Sequence, residues 1–240
     1  NEGTTSLEVG FLIAMGVGVL IGLMNAWFVT RMKIPSFLVT LGMQLGVLGM
    51  ALYVTDGFPQ RTWVANRTIM KIIVGEIYIG SFRIYASLLW FIGFVLVLHY
   101  VLTQAKWGNW IQASGGNPSA ARARGVRVAR TKVALFVLSA TMAAFAGITS
   151  SIRVRAANPN SGRGYELEVI AMVVIGGTLL SGGRGTIIGT VLGVLILRIM
   201  RNGIVMVGVP GLAYNIFIGA IILIMMSAHS YIARRLHSGE

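Results

Sequence analysis

The chain contains no cysteine, which excludes disulfides, thiol chemistry and thiolate metal sites but leaves the compartment open. Acids are scarce, with seven Asp and Glu against 20 Lys and Arg in 240 residues. Charged residues reach only 11%, where a soluble globular domain carries about 25%. There are three histidines, His99, His229 and His237. Each lies near the end of an apolar segment without metal-ligand spacing, so interfacial packing accounts for them. No Walker motif is present, which rules out ATP hydrolysis by a P-loop in this chain. No acid or base falls centrally in an apolar segment, which argues against a relay of intramembrane carboxylates. Sodium coupling through carbonyls and hydroxyls stays open.

Apolar residues are abundant, at 55% of the chain with a mean hydropathy of +0.78. A hydrocarbon layer roughly 30 Å thick needs about 20 apolar residues per helix, and runs of that kind recur along most of the sequence. Membrane insertion follows. The 31 glycines point to close helix packing, because helices in lipid gain little from mutual apolar contact and rely on small residues. The net charge of +13 does not indicate nucleic-acid binding. The basic residues lie between apolar runs, as membrane topology requires, with some of the excess available to anionic lipid or a partner protein. The amino-terminal residues lack a basic stretch followed by a short apolar run, so no signal peptide is expected.

The predicted fold is all-α, a polytopic transmembrane helical bundle of about seven segments, near 9–29, 36–54, 85–103, 132–150, 167–180, 186–201 and 213–231. The fifth and sixth are short for full spans. Between them runs Gly176-Gly177-Thr178-Leu179-Leu180-Ser181-Gly182-Gly183-Arg184-Gly185. Irregular backbone at membrane depth must be buried in protein or line a wet cavity, and short Gly-interrupted segments often mark a transport pathway.

Loop charge favours a carboxyl terminus inside and, with an odd number of spans, an amino terminus outside. The loop 104–131 carries Lys106, Arg122, Arg124, Arg127 and Arg130 without an acid, and Arg234 and Arg235 lie at the carboxyl end. External loops then hold Asp56, Glu76, Glu166 and Glu168, with Glu2 and Glu8 also outside and Arg198 and Arg201 near the outer end of the sixth segment. The longest external loop, about 55–84, contains Thr68–Gly80, which reads equally as an interfacial helix or as an ordered loop over the outer mouth. Within the basic loop, Asn117 and Pro118 suit a helix start. Ser119 to Arg124 suits one or two helical turns, and Gly125 suits the stop. Such a helix offers a rigid knob to a soluble partner, or serves as an amphipathic connector. Asn25, after Gly16, Gly18 and Gly22, fits a buried amide bonding across helices. Trp107 and Trp110 fit the aromatic belt on the basic side.

Three stretches resemble the permease subunits of ribose- and xylose-type ABC importers. They are NAWFVTRMKIPSFLVTLG from Asn25, GNWIQASGGNPSAARARGVRVARTK from Gly108 and GYELEVIAMVVIGGTLLSGGRGTIIGTVLG from Gly164. Position 26 is Ala where the family commonly has Gly. Family members are longer, with about three further amino-terminal spans and about ten in all. The resemblance therefore implies that residues 1–240 form a single permease domain lacking those spans, with 104–131 as a cytoplasmic coupling loop.

It further implies a multi-pass protein of the bacterial inner membrane that is a transport subunit and not an enzyme. It would pair with a second permease subunit as a homo- or heterodimer. ABC ATPase subunits would bind the ATP, this chain holding no cofactor, and an external binding protein would deliver a monosaccharide. Asn117, Pro118, Ala120, Ala121, Arg124 and Gly125 would form the surface facing the ATPase. Asn25, Thr40, Thr178 and Ser181 are candidates for the solute path, although helix packing explains each equally well. A self-contained secondary carrier for a small polar solute is the alternative, and it would need no such coupling loop.

Overall fold

A computed structural model describes residues 7–61, 67–79 and 82–208, and beyond them 216–217, 219–220, 223–224 and 227. Most of the expected seventh segment, together with Glu2, His229, His237, Arg234 and Arg235, lies outside the described residues. The elements in order are α1 (Leu7–Thr30), α2 (Ser36–Val54), β1 (Gln60–Arg61), α3 (Arg67–Val74), β2 (Glu76–Ile79), β3 (Phe82–Tyr85), α4 (Ala86–Thr103), α5 (Lys106–Gly116), α6 (Pro118–Ala123), α7 (Val128–Val154), β4 (Ala156–Ala157), α8 (Tyr165–Ile175) and α9 (Ile187–Met206). Among the described residues, five helices are long and apolar enough to cross a membrane: α1, α2, α4, α7 and α9. The fifth predicted segment is the 11-residue α8, too short to span a bilayer by itself.

Two compact units emerge, residues 1–94 with 121–161 and residues 95–120 with 162–240. In the first, α1 packs antiparallel on α7. A Cβ on Gly18 would stand 2.7 Å from the Ala144 Cβ, and one on Gly22 would stand 2.7 Å from the Val137 Cα. Two glycines four residues apart thus meet Ala140 and Ala144, the close crossing that small residues permit in lipid. Trp90, Phe94 and Phe145 form an aromatic cluster with centroids 5.4–5.8 Å apart.

The segment between α2 and α4 is more ordered than its sequence suggests. Helix α3 covers only Arg67–Val74, so no single helix runs through Thr68–Gly80. Strands β2 and β3 then form an antiparallel hairpin pairing Glu76 with Tyr85 and Tyr78 with Arg83. The alternation of Glu76, Tyr78, Arg83 and Tyr85 with Ile77 and Ile84 is a strand pattern, so this hairpin and the short β1–β4 ladder are additions to the helical membrane bundle expected from the sequence. The Trp90 indole donates to the Ile72 carbonyl at 2.9 Å, and the Arg153 guanidinium lies 5.0 Å from the centre of the Tyr85 ring. Tyr78 donates to the Glu76 carboxylate at 2.7 Å. That bond favours the protonated phenol and raises its pKa above the ordinary value.

The second unit is built on the α8–α9 hairpin. A Cβ on Gly193 would collide with the Met172 carbonyl, and Gly176 and Gly189 are closed to side chains by each other's carbonyls. Ala171, Met172 and Leu197 form the buried core of this contact.

Candidate functional site

The basic loop folds as two helices. The first, α5, opens at Lys106 and carries Trp107 and Trp110, whose rings lie 5.4 Å apart. The chain leaves it through Asn117 in an extended conformation, with φ −144° and ψ 94°, and α6 begins at Pro118. Asn117 Oδ1 accepts from the backbone N–H groups of Ser119 and Ala120, both at 3.1 Å, and from the Ser119 hydroxyl at 2.6 Å. A side-chain oxygen thereby satisfies amide donors that a helix start leaves open.

The far end of α6 is closed as tightly. The Gly125 N–H donates to the Arg122 carbonyl and the Val126 N–H to the Ala121 carbonyl, both at 3.0 Å. With φ +84° at Gly125, this is the paired closure that a left-handed glycine makes possible. Of the residues assigned to the ATPase surface, Asn117, Ala120, Arg124 and Gly125 are exposed and Pro118 is half-buried. Ala121 is buried, so its methyl serves packing inside this chain. Asn117→Ala should cost about 1 kcal/mol of local helix stability, read as faster amide exchange at Ser119 and Ala120. Unchanged exchange would refute the capping role.

Helix α5 also explains part of the glycine content. A Cβ on Gly115 would sit 2.7 Å from the Gly183 nitrogen, and one on Gly183 would sit 2.6 Å from the Gly116 Cα. The end of α5 therefore lies backbone to backbone on the Gly-rich turn between α8 and α9. That turn is itself ordered. Gly177 ends α8 with φ +81°, Thr178 N–H donates to the Val173 carbonyl at 3.1 Å, and Leu179 N–H donates to the Arg184 carbonyl at 3.0 Å. Thr186 caps α9 by accepting from the Gly189 N–H at 3.0 Å.

The four path candidates divide between the two units, Asn25 and Thr40 in the first and Thr178 and Ser181 in the second. Asn25 is buried, and its Oδ1 has no hydrogen-bond partner among the described residues. Thr40 is half-buried and bonds its own helix at the Ser36 and Phe37 carbonyls. Thr178 packs on Gly185, and Ser181 is exposed in the turn. An ionic cluster is the feature that sequence reasoning missed. Glu168 on α8 is 3% exposed, and its carboxylate lies 3.5 Å from Arg198 and 3.4 Å from Arg201 on α9. Arg198 also stands 5.8 Å from the centre of the Tyr165 ring. The sixth segment was expected to end near 201, with these arginines at its outer end. Because α9 runs on to Met206, they fall within the helix.

Comparison with known proteins adds three kinds of finding. The family described as branched-chain amino acid transport system, permease component, matches residues 1–226. The ribose import permease of Escherichia coli K12 is 34% identical over 224 residues, covering 91% of this chain and 68% of that protein. The fructose import permease of Rhizobium meliloti is 32% identical, covering 93% and 62%. The xylose transport system permease of E. coli K12 is 29% identical, covering 95% and 72%. No solved structure matches the chain.

Proposed function

The chain belongs to this family of transport-system permease components, and from that premise we propose that it forms, with a second permease subunit, the path of an ATP-driven importer for a monosaccharide. The observation that carries the reading is similarity along most of the chain to import permeases for ribose, fructose and xylose, in a protein whose described helices include five of spanning character. An external binding protein delivers the sugar, and ABC ATPase subunits bind and hydrolyse ATP on the cytoplasmic side of a bacterial inner membrane. Selectivity can then reside in the binding protein, with the permease offering a low-affinity path.

In this reading α6 is the knob that the ATPase grips, presenting Asn117, Ala120, Arg124 and Gly125, with Pro118 at its start. Both ends of the helix are closed by hydrogen bonds, so a displacement of the knob moves the helix as a piece and does not dissipate by fraying. Helix α5 carries the displacement to the Gly-rich turn through the Gly115–Gly183 contact. Thr178 and Ser181 on that turn, and Asn25 and Thr40 elsewhere, remain proposed solute contacts.

The test is co-purification of the full-length permease with the ATPase encoded beside it. Gly125 has open space around it but φ +84°, so Gly125→Trp disturbs the closure of α6 and crowds its outer surface. Wild type is expected to retain the ATPase and Gly125→Trp, still monodisperse, to lose it. An absence of ATPase in all mild detergents and nanodiscs, with gradient-driven uptake by the permease alone, would establish a secondary carrier instead.

A further inference from the structure

Arg198 sits near the middle of a helix of spanning length, with Arg201 one turn nearer its carboxyl end and Glu168 beside them on α8. Eleven residues of α9 precede Arg198 and eight follow it within Ile187–Met206, which places its Cα about 17 Å along the helix axis. Charged side chains at such depth are costly in lipid and turn toward the bundle interior or a water-filled cavity. Yet the Arg198 and Arg201 side chains are 46% and 37% exposed, whereas that of Glu168 is 4% exposed.

The rest of α9 indicates which way these guanidiniums face. Leu192, Ile196 and Ile199 are exposed and recur at helical spacing on one flank. Leu197 is fully buried against α8. Arg198 and Arg201 share the opposite flank, one turn apart, with Val205 a further turn along. An apolar stripe suits lipid, and a face with two guanidiniums does not.

We propose that the Arg198–Arg201 face of α9 lines the aqueous solute path and that both guanidiniums donate hydrogen bonds to the hydroxyl oxygens of the passing sugar. Glu168 fixes their positions from behind and is a positioning residue. Guanidinium N–H groups point in fixed directions, so held this way they suit the closely spaced acceptors of a polyol. The proposal rests on the importer reading, and it moves the principal path contacts from Asn25, Thr40, Thr178 and Ser181 to the middle of α9.

The test uses full-length permease assembled with its ATPase and binding protein in proteoliposomes, with any cysteine outside this chain replaced. Single variants Arg201→Cys, Val205→Cys and Ile199→Cys are exposed to a membrane-impermeant methanethiosulfonate. A thiol in water ionises and reacts, while one in apolar surroundings does not, so Arg201→Cys and Val205→Cys should be modified at least about tenfold faster than Ile199→Cys. Their rates should also change between nucleotide-free and ATP-trapped states. Arg201→Gln should lower uptake about tenfold while retaining the ATPase, in keeping with the loss of a charged hydrogen bond.

Modification of Ile199→Cys as fast as the other two overturns the proposal. So does protection of both Arg201→Cys and Val205→Cys in every state, the outcome expected if this face is sealed against a second permease subunit. If Arg201→Cys fails to assemble, the neutral replacement Val205→Cys decides. Absence of ATP-driven uptake by wild type sinks the importer reading separately, and the thiol contrast then still reports which face of α9 meets water.

Discussion

Gly183→Ala is expected to abolish sugar uptake by the assembled transporter and to lower the thermal stability of the permease, whereas Gly177→Ala costs much less. Both glycines have left-handed backbones, φ +84° and φ +81°, and an L side chain there costs roughly 1–2 kcal/mol. They differ in surroundings. The new Cβ at 183 would lie 2.6 Å from the Gly116 Cα and 2.9 Å from the Gly116 nitrogen, while the position beside Gly177 is empty to 4 Å. Overpacking against backbone adds about 1–3 kcal/mol, so the total at 183 reaches about 2–5 kcal/mol, a large share of a typical domain's margin.

The functional effect should exceed the thermal one, because the contact that must yield joins α5 to the turn. Thermal unfolding in detergent and ATP-driven uptake should therefore both separate the two variants. Equal losses at 177 and 183 would show that backbone strain alone matters and that the α5 contact transmits nothing.

The second large effect is expected at Glu168. Glu168→Ala removes the buried carboxylate that both Arg198 and Arg201 approach. Removing one partner of a buried ion pair costs about 3–5 kcal/mol, and the partial exposure of the two arginines places this case near the lower end. Joint replacement of Glu168, Arg198 and Arg201 by leucine should recover most of that stability, since apolar groups of similar size substitute well for buried ions. Uptake should stay lost. Recovery of stability and uptake together would reduce the cluster to a structural device.

Much of the span architecture was legible from apolar run length. The second segment, 36–54, coincides with α2, and the third, 85–103, begins one residue before α4. The fourth segment, 132–150, leaves Arg130 in the preceding loop, yet α7 starts at Val128, since basic side chains can extend from a helix end toward water. Helix α6 was legible because a cap and a left-handed glycine are local chemistry. Helix α5 was not, since Gly108, Gly115 and Gly116 lower its helix propensity. The reason for the last two lies in Gly182 and Gly183, well over sixty residues away in sequence. The ionic cluster was hidden for a related reason: nothing local to Glu168 reveals that α9 brings two arginines beside it. The assigned roles of Asn117, Pro118, Ala120, Arg124 and Gly125 rest on chemistry that only a bound partner can expose.

The crossing of α1 and α7 also bears on how the chain is made. Gly22 and Val137 meet with almost no space between their backbones, but about 115 residues separate them, roughly ten seconds of synthesis at usual elongation rates. Throughout that interval α7 is not yet there to fill the small-residue groove of α1. The contact that packs α1 most closely is therefore among the later ones to form, made only after the intervening helices have been synthesised.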